Sequence, residues 1–225
     1  MLEQQNSEYT GQSVAWQRPQ QYDAAQPEAL PSIARVRRFR REQEIYSQED
    51  RSDTWYRMVS GAARKYIIHA SGRRQIVDIH LPGDFFGFTS HNRHRFGVQS
   101  VIDGTSIECY PRQRLEALAD ASPALAREIR MRGFEAIERL QEQLLIVGTM
   151  TAKEKVRAFL IYFCERISTA QDEGVALPIS RYDMADLLGI SVETVCRVFT
   201  ELQQRGAISM QGPRRVRLTR RVDRS

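Results

Sequence analysis

Three side chains near the carboxyl end of the chain, Glu193, Cys196 and Arg197, have types and spacing that suit contact with the edges of nucleobases. Arg197 carries a fork of donors that fits O6 and N7 of guanine, and Glu193 can accept a hydrogen bond from N4 of cytosine. A spacing of four places both on one helix face, with Cys196 beside them. The same spacing suits an ion pair on a helix surface, so the surrounding elements must decide between the two.

Capping residues predict a short helix just before this segment. Ser180 and Asp183 have the spacing of a capping box, in which each side chain accepts a backbone hydrogen bond from the other residue. The helix covers residues 181–188. It ends at Gly189, which suits the positive φ that follows a helix.

A second helix follows after a tight turn. Ser191 predicts its start, so it covers about residues 192–205 and carries all three candidate side chains. Ala185 offers a small side chain where the two helices pack, and Val195 and Val198 face inward. This arrangement predicts a helix-turn-helix.

A basic segment closes the chain. Residues 207–211 and 214–218 flank the turn Gly212-Pro213 and predict a β-hairpin wing. From residue 205 to 225 there are seven arginines and one acid, a net charge of +6, which attracts phosphates through counterion release. Groups near helix starts and in the wing are therefore candidate phosphate contacts: Ser180, Arg181, Ser191, Thr194, Arg214 and Arg215.

The pattern of apolar and turn residues is different in the first half of the chain. Residues 33–110 contain short alternating runs broken by turn residues at spacings of roughly ten, which predicts an antiparallel barrel or roll. A short helix over 112–119 and a long one from Ser122-Pro123 to Thr149 follow.

The long helix carries a stripe of apolar and small residues with coiled-coil-like steps of three and four. It comprises Gly133, Ile137, Leu140, Leu144 and Val147. A helix packed on its own domain would show a similar stripe. Its place between a β-domain and a helical unit favours self-association, and we expect this stripe to form a dimer interface.

The remaining features of the sequence indicate which classes of protein are excluded. Residues 1–31 are rich in glutamine and proline, carry a net charge of −3 and predict a disordered tail. No long apolar run and no signal-peptide pattern is present, so we expect no membrane contact and a cytoplasmic location. The cysteines are too far apart for a metal motif, and no nucleophile–base set is present, so we expect a non-enzyme.

The order of these elements resembles the CRP/FNR superfamily of bacterial transcription regulators. The segment Glu193-Thr-Val-Cys-Arg197 is similar to that family's E-x-x-S-R base-reading motif with Cys in place of Ser, as in the FixK-like branch. Turn landmarks at Gly61, Leu81–Gly87 and Asp103-Gly104 also match. The resemblance covers residues 33–218.

With the disordered tail that the composition predicts over 1–31, the chain would have four parts. The resemblance implies that the other three form an α+β fold: a cyclic-nucleotide-binding-like β-roll over 32–119, a dimerisation helix over 120–150 and a winged helix-turn-helix over 151–225. It also implies a homodimer on double-stranded DNA, at TTGA-like half-sites with twofold symmetry that control microaerobic and nitrogen-fixation genes. An activator would contact RNA polymerase, and the loop 168–174 is placed like the family's activating region.

The effector residues of the family are missing. Phe88 stands where the cyclic-nucleotide pocket usually has a Glu, and Phe96-Gly97 lies near its Arg-Ser pair, although Arg93 and Arg95 are close. Cysteines for an FNR-type iron–sulfur cluster are absent before Cys109. The pair His91 and His94 could ligate a metal, but in a polar loop such a pair is more often solvated.

We therefore expect no cofactor, no metal and activity without a small effector, set by abundance or by oxidation of Cys196. A small side chain at 196 that simply contacts DNA is the equal alternative. A ligand-gated regulator whose roll binds a cyclic nucleotide or another small effector is the alternative for the whole protein.

Overall fold

A computed structural model describes residues 33–167 and 174–219. The predicted tail, most of the 168–174 loop and the arginines from 220 onward lie outside the described residues. The strands are β1 (Arg35–Phe39), β2 (Glu44–Tyr46), β3 (Thr54–Ser60), β4 (Ala63–Ile68), β5 (Arg74–His80), β6 (Phe85–Phe86), β7 (Gly97–Ser100), β8 (Thr105–Pro111), β9 (Val175–Ala176), β10 (Ile208–Met210) and β11 (Arg215–Leu218). The helices are α1 (Arg112–Ala121), α2 (Pro123–Thr149), α3 (Ala152–Ile167), α4 (Arg181–Leu188) and α5 (Val192–Gln204).

The first eight strands form two four-stranded antiparallel sheets, in the orders β1-β8-β3-β6 and β2-β7-β4-β5. Alternate side chains of both sheets meet in one core, where Phe39, Met58 and Ile107 of one sheet pack with Ala63 and Val98 of the other. This confirms the predicted roll.

Helix α2 follows the roll and has one face packed on the rest of the chain and one face exposed. Ser122 caps it, because the Ser122 hydroxyl accepts a hydrogen bond from the backbone N–H of Leu125. One face packs on the rest of the chain through Leu125 and Ile146, and Gln143 donates from it to the carbonyl of Val77 in β5. Among the described residues, no helix is long and apolar enough to cross a membrane.

The carboxyl-terminal elements share a core with the outer surface of the roll. Val156 and Phe163 of α3, Met184 of α4 and Val195 of α5 are buried together with Ile76 of β5. The small sheet β10-β11-β9 packs against this unit, and Val216 of β11 is buried in the same core. The roll and the helical unit are thus joined by apolar packing as well as by chain connection.

Candidate nucleic-acid interface

The first helix of the predicted helix-turn-helix begins with the predicted capping box. The Ser180 hydroxyl accepts a hydrogen bond from the Asp183 N–H at 3.1 Å, and the Asp183 carboxylate accepts from the Ser180 N–H at 3.3 Å. Helix α4 ends at Gly189, whose φ of 64° lies in the left-handed region. Ser191 then caps α5 by accepting from the N–H of Thr194 at 3.2 Å. Both helices are confirmed.

Helix α5 separates an apolar face from a polar one. Its inner face is buried and consists of Val195, Val198, Phe199 and Leu202. Glu193, Cys196 and Arg197 all lie on the outer, exposed face. Arg197 does not pair with Glu193 in this described helix; its guanidinium lies 3.5 Å from the Thr194 hydroxyl instead. The three predicted base-reading side chains are therefore brought together and left open to a partner.

The predicted phosphate contacts at the helix starts occupy different environments. Ser191 is exposed, while the Ser180 hydroxyl donates to the Asp183 carboxylate at 2.8 Å. Arg181 folds over the ring of Phe199, 3.0 Å from its centroid. Burial against this ring lowers the pKa of the Arg181 guanidinium to about 10, and the nearby Cys196 thiol acts in the opposite direction.

Tyr182 is an exposed aromatic residue that sequence reasoning missed. It lies in the first turn of α4, and its side chain is 72% exposed. Met184, Leu187 and Leu188 form the buried face of the same helix. The sequence signal was an aromatic residue off the apolar face of a capped helix. Tyrosine hydroxyl groups are among those that contact DNA phosphates in protein–DNA complexes.

The wing is a hairpin that carries arginines on its outer face. Gly212 makes its turn with a φ of 84°, and β10 and β11 pair antiparallel. Val216 points into the core, so its neighbour Arg215 points outward, and Arg214 before the strand is also exposed. The predicted hairpin is confirmed.

Together, the roll, the long helix and the winged helix-turn-helix with its exposed polar face define the class of DNA-binding transcription regulators. Comparison with known proteins agrees. Residues 36–122 match the model of the cyclic nucleotide-binding domain, and residues 154–222 match that of the Crp-like helix-turn-helix domain.

Individual relatives show which branch of these regulators the chain resembles. The nitrogen fixation regulation protein FixK of Rhizobium meliloti (strain 1021) is 35% identical over 77% of this chain and 77% of its own length. FixK of Azorhizobium caulinodans is 37% identical over 80% of this chain and 73% of its own length. The structure of FixK2 from Bradyrhizobium japonicum matches with a TM-score of 0.78 and 34% identity, covering 84% of this chain and 94% of that one. The chain belongs to the FixK-like branch of the CRP/FNR family of transcription regulators.

The interior of the roll is filled with the chain's own aromatic rings. His94 stacks on Tyr46 with 3.8 Å between centroids, Tyr46 stacks on Tyr56 at 5.2 Å, and Tyr56 stacks on Phe86 at 5.3 Å. His80 also stacks on Phe86, with 4.4 Å between the ring centroids. The expectation of solvated histidines is wrong for His94, because ring stacking buries it. Residues 33–167 and 174–219 contain no group of three side chains arranged to hold a metal ion.

The positions that differ from the family's nucleotide pocket are also packed. Phe88 makes an edge contact with Trp55, with 4.9 Å between the ring centroids. Gly97 lies against Tyr66, and a Cβ atom there would come within 2.7 Å of the ring. Arg93 donates to the backbone carbonyl of Glu49 at 2.6 Å. Phe88, Gly97 and Arg93 are therefore all in contact with other residues of the roll.

Proposed function

We propose that this chain is a homodimeric, sequence-specific transcription activator that reads a TTGA-type palindrome without a small-molecule effector. The observation that carries the proposal is the outer face of α5, where Glu193, Cys196 and Arg197 are exposed on a helix that caps and core packing hold rigid. Arg197 would donate to guanine and Glu193 would accept from cytosine. The genes it controls would be microaerobic and nitrogen-fixation genes; two of its relatives are named nitrogen fixation regulation proteins.

The dimer is supported by the free face of α2. Ile137, Leu140 and Leu144 of the predicted stripe are 52%, 43% and 71% exposed, and Gly133 has open space around it. Val147 is half-buried. At 100° per residue this stripe lies on the side of the helix away from the packed Ile146. An exposed apolar patch on a long helix is typical of a subunit interface.

DNase footprinting and in vitro transcription on a TTGA-type palindrome, with no effector added, test the site, the dimer spacing and effector independence together. We expect protection of both half-sites about one helical turn apart, roughly 34 Å. Protection that requires an added nucleotide would contradict effector independence. Equal affinity for random DNA would contradict sequence-specific reading.

A ligand-gated regulator is the second candidate, and the match of residues 36–122 to the cyclic nucleotide-binding domain favours it. The packing of Phe88 against Trp55 opposes it, because Phe88 stands where the family's nucleotide pocket usually has a Glu. Calorimetry with cyclic AMP and cyclic GMP separates the candidates. Measurable heat of binding would support gating.

Oxidation of Cys196 would regulate the same surface. Cys109 and Cys164 are buried, and burial raises the pKa of the Cys164 thiol to about 11, whereas Cys196 is exposed. Hydrogen peroxide oxidises a thiolate to a sulfenic acid and is itself reduced to water; a second equivalent gives a sulfinate. The added negative charge would repel DNA phosphates and pair with Arg181 nearby.

Peroxide treatment of the wild type and of Cys196→Ser tests this regulation. We expect the wild type to lose DNA binding and the variant to keep it. Equal loss in both proteins would contradict the switch and leave Cys196 as a small side chain that contacts DNA.

Activation would require contact with RNA polymerase, in the cytoplasm where the chromosome lies. The loop 168–174 is the proposed contact, and all of it except Gly174 lies outside the described residues. Replacing its acidic residues should reduce transcription without reducing occupancy of the palindrome.

A further inference from the structure

Helix α4 is bound to the roll by a buried ionic contact. Arg64 of β4 donates from Nη1 to Oδ1 of Asp183 at 3.0 Å, and Arg74 of β5 donates from Nη2 to the same oxygen at 3.1 Å. The side chains of Arg64 and Asp183 are 7% and 8% exposed. Such a pair, 119 residues apart in sequence, fixes two remote elements against each other.

A second carboxylate on the same face of α4 extends the contact. Oδ2 of Asp186 accepts from the backbone N–H of Ile76 in β5 at 3.2 Å and lies 3.8 Å from Nε of Arg74. The Gln75 side chain donates to the Asp186 carbonyl at 2.5 Å. We call the four charged residues Arg64, Arg74, Asp183 and Asp186 the roll–α4 clamp.

Asp183 has two functions in this arrangement. Its Oδ2 completes the capping box at the start of α4, and its Oδ1 accepts from both arginines of the roll. The residue that begins the helix-turn-helix is thus the residue that attaches it to the roll. Arg64 is held in turn by Glu42 and Gln99 within the roll, so its guanidinium cannot follow a moving helix freely.

The clamp does not obstruct the reading face. Asp183 and Asp186 point to the roll, while Glu193, Cys196 and Arg197 on α5 remain exposed. A contact that blocked DNA would cover those side chains. The clamp therefore orients α5 and leaves it accessible.

We propose that Arg64 and Arg74 are positioning residues for DNA reading, which hold each recognition helix at a fixed angle to the roll. In a dimer this would fix the separation of the two helices and hence the half-site spacing that the protein accepts. The proposal rests on the proposed function, because spacing has meaning only for a homodimer on a palindrome. A helix that pivots spends only a fraction of its time in the competent orientation, and apparent affinity falls by that fraction.

The test compares full-length wild type with Arg74→Met and Arg64→Met, in which the apolar stem is kept and the charge removed. Arg73→Met is the matched control, since Arg73 is exposed, adjacent and equally charged. Each protein is titrated onto a TTGA-type palindrome, onto the same palindrome with one base pair added to or removed from its centre, and onto a single half-site.

We expect wild type and Arg73→Met to bind the native spacing far better than either altered spacing. The clamp variants should bind the native spacing about tenfold more weakly than the wild type does. They should bind the altered spacings almost as tightly as they bind the native spacing, and their affinity for the half-site should equal that of the wild type. A variant with impaired folding would lose half-site binding too. Arg74 is 36% exposed, so its replacement tests the clamp even where Arg64→Met fails to fold.

Two failures are distinguishable. Clamp variants that discriminate between spacings as sharply as the wild type would overturn the positioning proposal. A wild type that does not distinguish the palindrome from random DNA would contradict the proposed function instead.

Discussion

Arg197 projects from the outer face of α5, one turn after Glu193 and beside the Thr194 hydroxyl. The net charge of the whole chain, +5, says little about such a side chain, because most of the arginines lie elsewhere. Its spacing from Glu193 and from the cap at Ser191 locates it, and the structure adds that no intramolecular ion pair competes for it among the described residues.

Replacing Arg197 by Ala should weaken binding to the specific site by about 1–3 kcal/mol and relax the preference for guanine at one position of each half-site. Arg205→Ala removes the same charge from the residue that follows α5 and should leave that preference intact. Binding titrations on matched and guanine-substituted duplexes measure both. An unchanged ratio of specific to random affinity for Arg197→Ala would rule out base reading.

His80 makes the stability of the fold depend on pH. Burial lowers its pKa well below 6.5, and the positive charges of Arg139 and Lys65 lower it further, although Asp84 opposes them. The unfolded chain therefore takes up a proton near pH 6.5 that the folded chain refuses, so the free energy of unfolding falls as the pH decreases below 6.5.

Between pH 6.5 and pH 5.5, protonation of His80 in the unfolded chain should cost the wild type about 1 kcal/mol of its free energy of unfolding. His80→Gln should therefore lose about 1 kcal/mol less than the wild type over the same pH range. Urea unfolding at the two pH values measures the difference, and His69→Gln at an exposed turn is the control. If both variants lost as much stability as the wild type, His80 would not be the titrating group.

At the scale of elements, α2 has one face packed on the chain's own core and an exposed face that would meet the second subunit of the proposed dimer. Leu125 and Ile146 are buried within the chain, whereas Ile137 and Leu144 are exposed. The sequence shows the stripe but not which apolar residues the chain itself covers. Met131, Phe134 and Leu145 broaden the exposed face beyond the predicted seam.

Leu144→Glu should dissociate the dimer without unfolding the subunit, because its side chain is exposed in the single chain. In a twofold dimer the change occurs twice, and burial of each leucine stabilises by about 1.5–3 kcal/mol, so the dissociation constant should rise by about a hundredfold or more. Sedimentation equilibrium measures it. Ile68 is 50% exposed on the roll, and the control change Ile68→Glu should leave the dimer intact. An unchanged molar mass for Leu144→Glu would mean that the interface lies elsewhere.

The wing should contribute affinity without specificity. If Arg214 contacts one phosphate per subunit, as proposed, Arg214→Ala should lower the slope of log affinity against log salt by about two for a dimer. The loss should be equal on palindromic and random DNA. A loss confined to the palindrome would mean that Arg214 reads bases.

Caps and turn glycines predicted the helices well, since Ser180, Gly189 and Ser191 act through contacts within a few residues. Strands β2, β6 and β9 contain only two or three residues each and were too short for an alternating pattern. The contact of α4 with β5 was not predictable, because periodicity reveals which face is buried and not which element covers it. The sequence assigned Asp183 only to the capping box, and nothing in it singled out Arg64.

At the scale of the whole molecule, one apolar core crosses the boundary between the roll and the DNA-reading unit. Ile76 and Ile79 of β5 are buried with Met184 and Leu188 of α4. The roll–α4 clamp lies beside this packing. Because neither surface is covered without the other, the two units should unfold together.

Met184→Ala provides the decisive test of this coupling. The side chain is fully buried in α4, and its truncation should cost about 2–5 kcal/mol. With Trp16→Phe as background, Trp55 fluorescence reports on the roll alone, while far-UV circular dichroism reports mainly on the helices. We expect one denaturant transition by both probes, moved to lower urea by Met184→Ala. A Trp55 transition that stays in place while the helical signal moves would mean that the roll folds independently and that the clamp alone transmits orientation between the two units.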